Sequence, residues 1–120
     1  MKIADYKELV AYQKAYEVAR LVYELTKGFS KEEIYGLTSQ LRRSAVSIPS
    51  NIAEGYMRGS REYIQFLKVA LGSAAELETQ LSLSRDLGFC NNNVFEYVYN
   101  LNLEVIKLLK TYIKKLARGD

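Results

Sequence analysis

The chain has no histidine and no tryptophan, and a single cysteine and a single proline among its 120 residues. Each shortage excludes something. Without histidine it lacks the commonest metal ligand and the commonest general base. Ser-His and Cys-His nucleophile pairs are therefore impossible within one chain. A dinuclear metal centre of the kind housed in some helical bundles needs Glu-x-x-His pairs and is excluded on the same ground. Cys90, being alone, makes neither an internal disulfide nor a cysteine-built zinc site. Beside Phe89 it reads as a small packing thiol. Gly55 and Gly59 are four apart, but no Lys-Ser/Thr follows to cradle a phosphate. No run approaches the roughly 18 apolar residues that a membrane span needs. The opening MKIADYKELV is charged throughout and has no apolar signal core. The expected location is the cytoplasm, where a lone reduced thiol is ordinary, and no cofactor, metal or membrane is expected.

What is present is helical. Hydrophobic residues make up 48% and charged residues 26%, as in ordinary globular domains. Gly28, Gly59 and Gly88 divide residues 1–120 into four stretches, each with apolar residues at three- and four-residue steps and none with strand-like alternation. The first stretch, about Asp5 to Lys27, carries two apolar stripes. Leu9, Tyr12, Tyr16, Ala19 and Tyr23 form one, expected to face the core. Val10, Val18, Leu21 and Leu25 form the other, interrupted by Lys14. A small bundle uses one stripe, so the second is expected to be covered by another copy. The second stretch, about Lys31 to Tyr56, opens with Ser30 and Glu33 at capping-box spacing. It continues through Ile34, Leu37, Leu41, Ser44, Ala45, Ile48 and Ile52, with a kink or local break expected at Pro49. The third, about Arg61 to Leu87 with Ser60 as N-cap, presents Tyr63, Phe66, Leu67, Ala70, Ala74, Leu77 and Leu81. Its small residues around Gly72 suit close helix approach. The fourth, about Val94 to Ala117, follows Asn93 as cap and buries Leu101, Val105, Leu108, Leu109, Tyr112 and Leu116. Short connections favour antiparallel neighbours. The expected fold is a single all-α domain, an up-down-up-down antiparallel four-helix bundle with the second helix kinked near Pro49.

Charge supplies the candidate sites. Seventeen basic against fourteen acidic residues leave a net +3. Lys107, Lys110, Lys114 and Arg118 stack within one helical sector, with Lys115 beside them. That ridge reads either as a face for phosphates or as solvated cations complementing a helix C-terminus. Arg42, Arg43, Arg58 and Arg61 form a second set, read either as an anion site or as pairing partners for Glu54, Glu76 or Glu78. Ten tyrosines are many for this length. Tyr12, Tyr16, Tyr23, Tyr63 and Tyr112 read as packing residues, whereas Tyr35, Tyr56, Tyr97 and Tyr99 suit a subunit interface or, less simply, base stacking.

YGLTSQLRRSAVSIPSNIAEG (residues 35–55), followed by RGSREYIQFLKVALGSAAELETQL (residues 58–81), is distinctive. It resembles the four-helix-bundle family named for proteins encoded in 23S ribosomal RNA intervening sequences, also called the S23 family, over essentially the whole chain. The opening also fits, with Tyr12 where members often carry tryptophan. The resemblance implies a short bacterial bundle protein of a family with no established catalytic residues, ring-shaped homopentamers in several members, and Arg42, Arg43 and Arg58 as contact or interface positions. It also implies kinship with the accessory variability determinant of diversity-generating retroelements, a basic pentamer that contacts a reverse transcriptase and nucleic acid. The resulting expectation is a non-enzymatic oligomer that binds RNA or a nucleoprotein. The alternative is a scaffold whose partner is another protein, with an enzyme working through Arg and Glu as a residual reading.

Overall fold

The structure is a computed structural model and describes residues 5–119. The reading of the chain's opening residues as free of a signal core falls partly on positions 1–4, outside the described residues. After a 3-10 turn at Tyr6–Glu8 come α1 (Val10–Thr26), a second 3-10 turn (Lys31–Glu33), α2 (Leu37–Arg58), α3 (Ser60–Asp86) and α4 (Asn93–Ala117). Each helix packs on the next, and α4 closes back on α1. Cross-helix contacts run in opposite chain directions. Ser47 meets Ser73 and Ser44 meets Gln80 between α2 and α3, while Tyr63 meets Tyr112 and Glu78 meets Tyr99 between α3 and α4. The bundle is therefore antiparallel, 45 Å long and about 20 Å thick. One end gathers the start of α1, the α2–α3 turn and the end of α4. The other gathers the α1–α2 and α3–α4 connections.

The helix boundaries correct three expectations. Ser30 makes no capping bond, and α2 begins at Leu37. Gly36 leaves the helical region there, and Glu33 turns its carboxylate forward to accept from the Leu37 amide at 3.2 Å. The cap of α4 is Asn92, whose side chain accepts from Phe95 N at 2.9 Å, one residue before the expected Asn93. Ser60, expected as the N-cap of α3, is its first residue, and the connection from α2 is Gly59 alone, with φ 101°, a left-handed conformation that a side chain would strain. Helix α2 runs through Pro49 without a break, and Pro49 itself is buried.

The largest correction concerns α1. The core takes Ala11, Ala15, Val18, Val22 and Leu25, at alternating steps of four and three, together with Leu21. Val18 is fully buried, and Leu21 and Leu25 are 8% and 6% exposed. These three expected interface residues are thus consumed inside the chain, and Val10 alone of that set faces out. Tyr16 and Tyr23, expected in the core, are 58% and 43% exposed. The physical reason is size and polarity. Aliphatic and small side chains interdigitate at close helix spacing, whereas a buried phenol needs a partner for its hydroxyl.

Ring contacts join most of the tyrosines at one end of the bundle. Tyr16, Tyr12, Tyr6, Tyr56, Tyr63 and Tyr112 form a continuous array of ring contacts at 5.1–6.3 Å. Tyr63 donates to the Tyr112 hydroxyl at 3.1 Å. Burial first, and then this bond, push the Tyr63 hydroxyl far above the usual phenol range, so it holds its proton as a structural group.

Asn102 of α4 is fully buried, donates from Nδ2 to the Ala74 carbonyl at 2.9 Å, and leaves Oδ1 without a partner among the described residues. A half-satisfied buried amide is worth less than an apolar side chain of the same size. Asn102→Leu is accordingly expected to raise stability by about 1 kcal/mol, read as a higher thermal midpoint by circular dichroism. A lower midpoint would show that the Asn102 hydrogen bond outweighs its orphaned oxygen.

Candidate functional site

The two arginine pairs do not converge. Arg42 lies near the start of α2 and Arg58 at its end, sixteen residues or roughly 24 Å apart along the helix. Arg58 is committed within the chain. Its Nε and Nη2 donate to Glu54 at 3.1 and 2.9 Å, its Nη1 donates to Glu62 at 3.0 Å, and its guanidinium sits 4.9 Å from the Phe66 ring centre. These bonds, to Glu54 first and then Glu62, raise its already high pKa. Arg58 thus pairs with Glu54, one of the anticipated partners, and with Glu62 in addition. Arg42 donates from Nε to Thr26 Oγ1 at 2.9 Å and lies 4.5 Å from the Tyr23 ring centre. Arg43 is exposed and lines a polar groove of about 340 Å³ with Gln40, Ser44, Ser47 and Glu76.

The C-terminal ridge is exposed as expected. Lys107, Lys110, Lys114, Lys115 and Arg118 all face out along α4. The four lysines have no ion-pair partner among the described residues. The structure adds Lys68. Together with Lys110 and Lys114 it borders an apolar-floored groove of about 440 Å³ between α3 and α4, over Leu71 and Ile113. Lys68 is likewise exposed and without an ion pair among the described residues. Sequence reasoning missed it because nothing in α3 alone places it beside α4. The signal was the antiparallel register of α3 against α4, which sets it opposite the ridge. Arg61, exposed in the first turn of α3, lies at the same end of the bundle as Lys114 and Arg118. One end thus collects Arg61, Lys68 and the ridge.

A second surface was not foreseen. Tyr12, Tyr16, Ala19 and Tyr23 of α1 face Val46, Pro49 and Ala53 of α2 across an open groove of about 470 Å³, with Arg20 on its rim. Its walls are largely carbon. Tyr35 and Tyr97 also remain exposed, as suits an interface, whereas Tyr99 is half-buried and donates to Glu78 at 3.3 Å.

Cys90 is buried, and burial raises its thiol pKa, as in a packing thiol. Among the described residues no three acidic or thiol side chains gather as metal ligands, and no helix is long and apolar enough to cross a membrane.

Comparisons with known proteins give one consistent signal. Residues 7–111 match the sequence model of the 23S rRNA-intervening sequence protein family. Among solved structures, the chain is similar to a protein of unknown function from the S23 ribosomal protein family of Bacteroides thetaiotaomicron. The two are 29% identical with a TM-score of 0.77, over 88% of this chain and 96% of that one. No curated protein matches.

Proposed function

This chain belongs to the 23S rRNA-intervening sequence protein family, and from that premise we propose that it is a non-enzymatic module, assembled from several copies, that binds structured RNA or a nucleoprotein through the lysine-rich end of its bundle. The observation that carries the reading is the ridge itself. Lys107, Lys110, Lys114 and Lys115, with Lys68 across the groove, stand exposed with no carboxylate partner among the described residues. Unpaired cations along one helix face are what a phosphate backbone requires, because each neutralised phosphate releases a condensed counterion. One copy carries only +3, but a ring of five, the assembly implied by the family resemblance, sums to about +15 and steers anions strongly. The proposed setting is the bacterial cytoplasm. The kinship with the retroelement accessory protein that the family resemblance implies supports the same class of partner, a nucleic acid handled together with a polymerase.

The test is a titration of the protein against a labelled RNA hairpin at increasing salt. Affinity is expected to fall steeply, and Lys110→Glu with Lys114→Glu is expected to weaken binding at low salt by about tenfold or more and to flatten the salt slope by roughly two. Affinity that stays level with salt, or ignores the charge reversals, refutes RNA binding at this ridge.

The groove between α1 and α2 supports a second reading. Its apolar walls fit protein better than phosphate. In that reading the module is a scaffold for another protein and the ridge is solvated. Recovery of one specific protein partner after nuclease treatment favours it.

A further inference from the structure

The two proposed surfaces leave a third feature unused, at the end of the bundle away from the lysine ridge. There the α1–α2 connection folds over a cavity of about 460 Å³, within the usual range for small-molecule pockets. Three cations border it: Lys27 and Lys31 from the connection and Arg42 from α2. No carboxylate lines it. Phe29 and Ile34 supply an apolar wall, and Phe29 is fixed by its ring contact with Phe89 at 5.8 Å.

Arg42 is held as a preset donor. Thr26 spends its proton on the Val22 carbonyl at 2.8 Å, so its oxygen is left to accept from Arg42 Nε at 2.9 Å. The face of the guanidinium rests on Tyr23. Both terminal nitrogens remain without a protein partner among the described residues. A forked, immobilised guanidinium is suited to two oxygens of one anion. Thr38, in the same wall, is 6% exposed and its hydroxyl has no hydrogen-bond partner among the described residues. A buried hydroxyl left unsatisfied is uncommon in a folded protein.

The donors outnumber what a carboxylate accepts. Two arginine nitrogens and the Lys31 ammonium, with the exposed hydroxyl of Ser39 in the same wall and the Lys27 ammonium, which Glu24 shares at 3.8 Å, match the three oxygens and double charge of a phosphate monoester. The apolar wall asks for a flat or apolar body attached to that phosphate. We infer that this cavity binds a phosphate monoester carried on an aromatic body, the chemistry shared by a free nucleoside monophosphate and the phosphorylated end of an RNA strand.

The experiment is calorimetric titration of the full chain with AMP, adenosine, inorganic phosphate, and a tetranucleotide with or without its 5′ phosphate. AMP is expected to bind at least about tenfold more tightly than adenosine or inorganic phosphate. Arg42→Gln is expected to reduce that binding about tenfold or more, and Lys31→Ala, on an exposed side chain, by a few-fold. Circular dichroism of both variants controls for folding. Tighter binding of the phosphorylated tetranucleotide than of AMP identifies an RNA end as the source, and the reverse identifies a free nucleotide. No binding of either at millimolar concentration overturns the inference. So does equal binding of adenosine, equal binding of inorganic phosphate, or indifference to both substitutions in folded protein. The Lys110→Glu, Lys114→Glu variant is expected to bind AMP normally, which separates failure of this site from failure of the ridge.

Discussion

Gly55→Ala is expected to destabilise the protein by about 2 kcal/mol, although the same change in an exposed helix interior is ordinarily stabilising. The helix itself gains: alanine is favoured over glycine by roughly 1 kcal/mol in a helix interior. The loss comes from α3. A Cβ at Gly55 would stand 2.6 Å from Phe66 Cβ and 3.2 Å from a ring carbon of Tyr63. It would also lie 3.3 Å from the Tyr63 carbonyl oxygen. The nearest atom is the root of a side chain, so no rotamer change relieves it and the helices must separate. That displaces Tyr63 and Phe66 together, and with Tyr63 the ring contacts that reach Tyr56 and Tyr112. Gly72→Ala in α3 is the matched control, because its added Cβ meets nothing within 4 Å. There the propensity gain stands alone, and stability is expected to rise by about 0.5–1 kcal/mol. At roughly 4 °C per kcal/mol for a chain of this size, the two thermal midpoints should move apart by about 10 °C. A higher midpoint for both variants would remove the close approach at Gly55 from the account of the fold.

The same pair of glycines shows where the sequence could be read and where it misled. Helix number, the antiparallel order and the core stripes of α3 and α4 follow from periodicity, because each of those helices has one dominant apolar face. Gly72 sits among alanines and serines and attracts the idea of close packing, yet it is exposed, and the tight contact belongs to Gly55. A single helix does not reveal which small residue faces a neighbour. Helix α1 failed for a related reason. Both of its stripes recur at helical spacing and the one with larger side chains reads as the core, whereas the narrow interior accepts Val18 of the other stripe with Ala15 and Val22, which belong to neither. The start of α2 was misplaced because Ser30 and Glu33 imitate a capping box, whereas Glu33 caps forward onto Leu37. Among the site residues, the exposed lysines of α4 were legible because one helix face carries them all. Lys68 and the cavity beside Arg42 were not, since each depends on two segments meeting in space.

The swap of faces on α1 moves the expected self-association surface and gives it a sharper test. Tyr16→Glu combined with Val46→Glu is expected to turn an assembled protein into single chains of 13.7 kDa in sedimentation. Tyr16 and Val46 are 58% and 41% exposed in the isolated chain, so two carboxylates there sit in water and the monomer's fold is expected to survive. In an assembly that covers the groove, the same carboxylates would be buried without partners. Each such charge costs about 3–5 kcal/mol, which is a loss of at least a hundredfold in the association constant. The ridge then offers a second readout, because a lone copy presents +3 where an assembly multiplies it, and the affinity for the RNA hairpin should fall even though no lysine has been touched. The companion change Val18→Glu distinguishes the two faces of α1, since Val18 is fully buried in the single chain and a carboxylate there should unfold the protein. An unchanged sedimentation profile for the Tyr16, Val46 variant would release this groove from any part in self-association. A wild-type chain that stays single at high concentration would do the same for self-association as a whole.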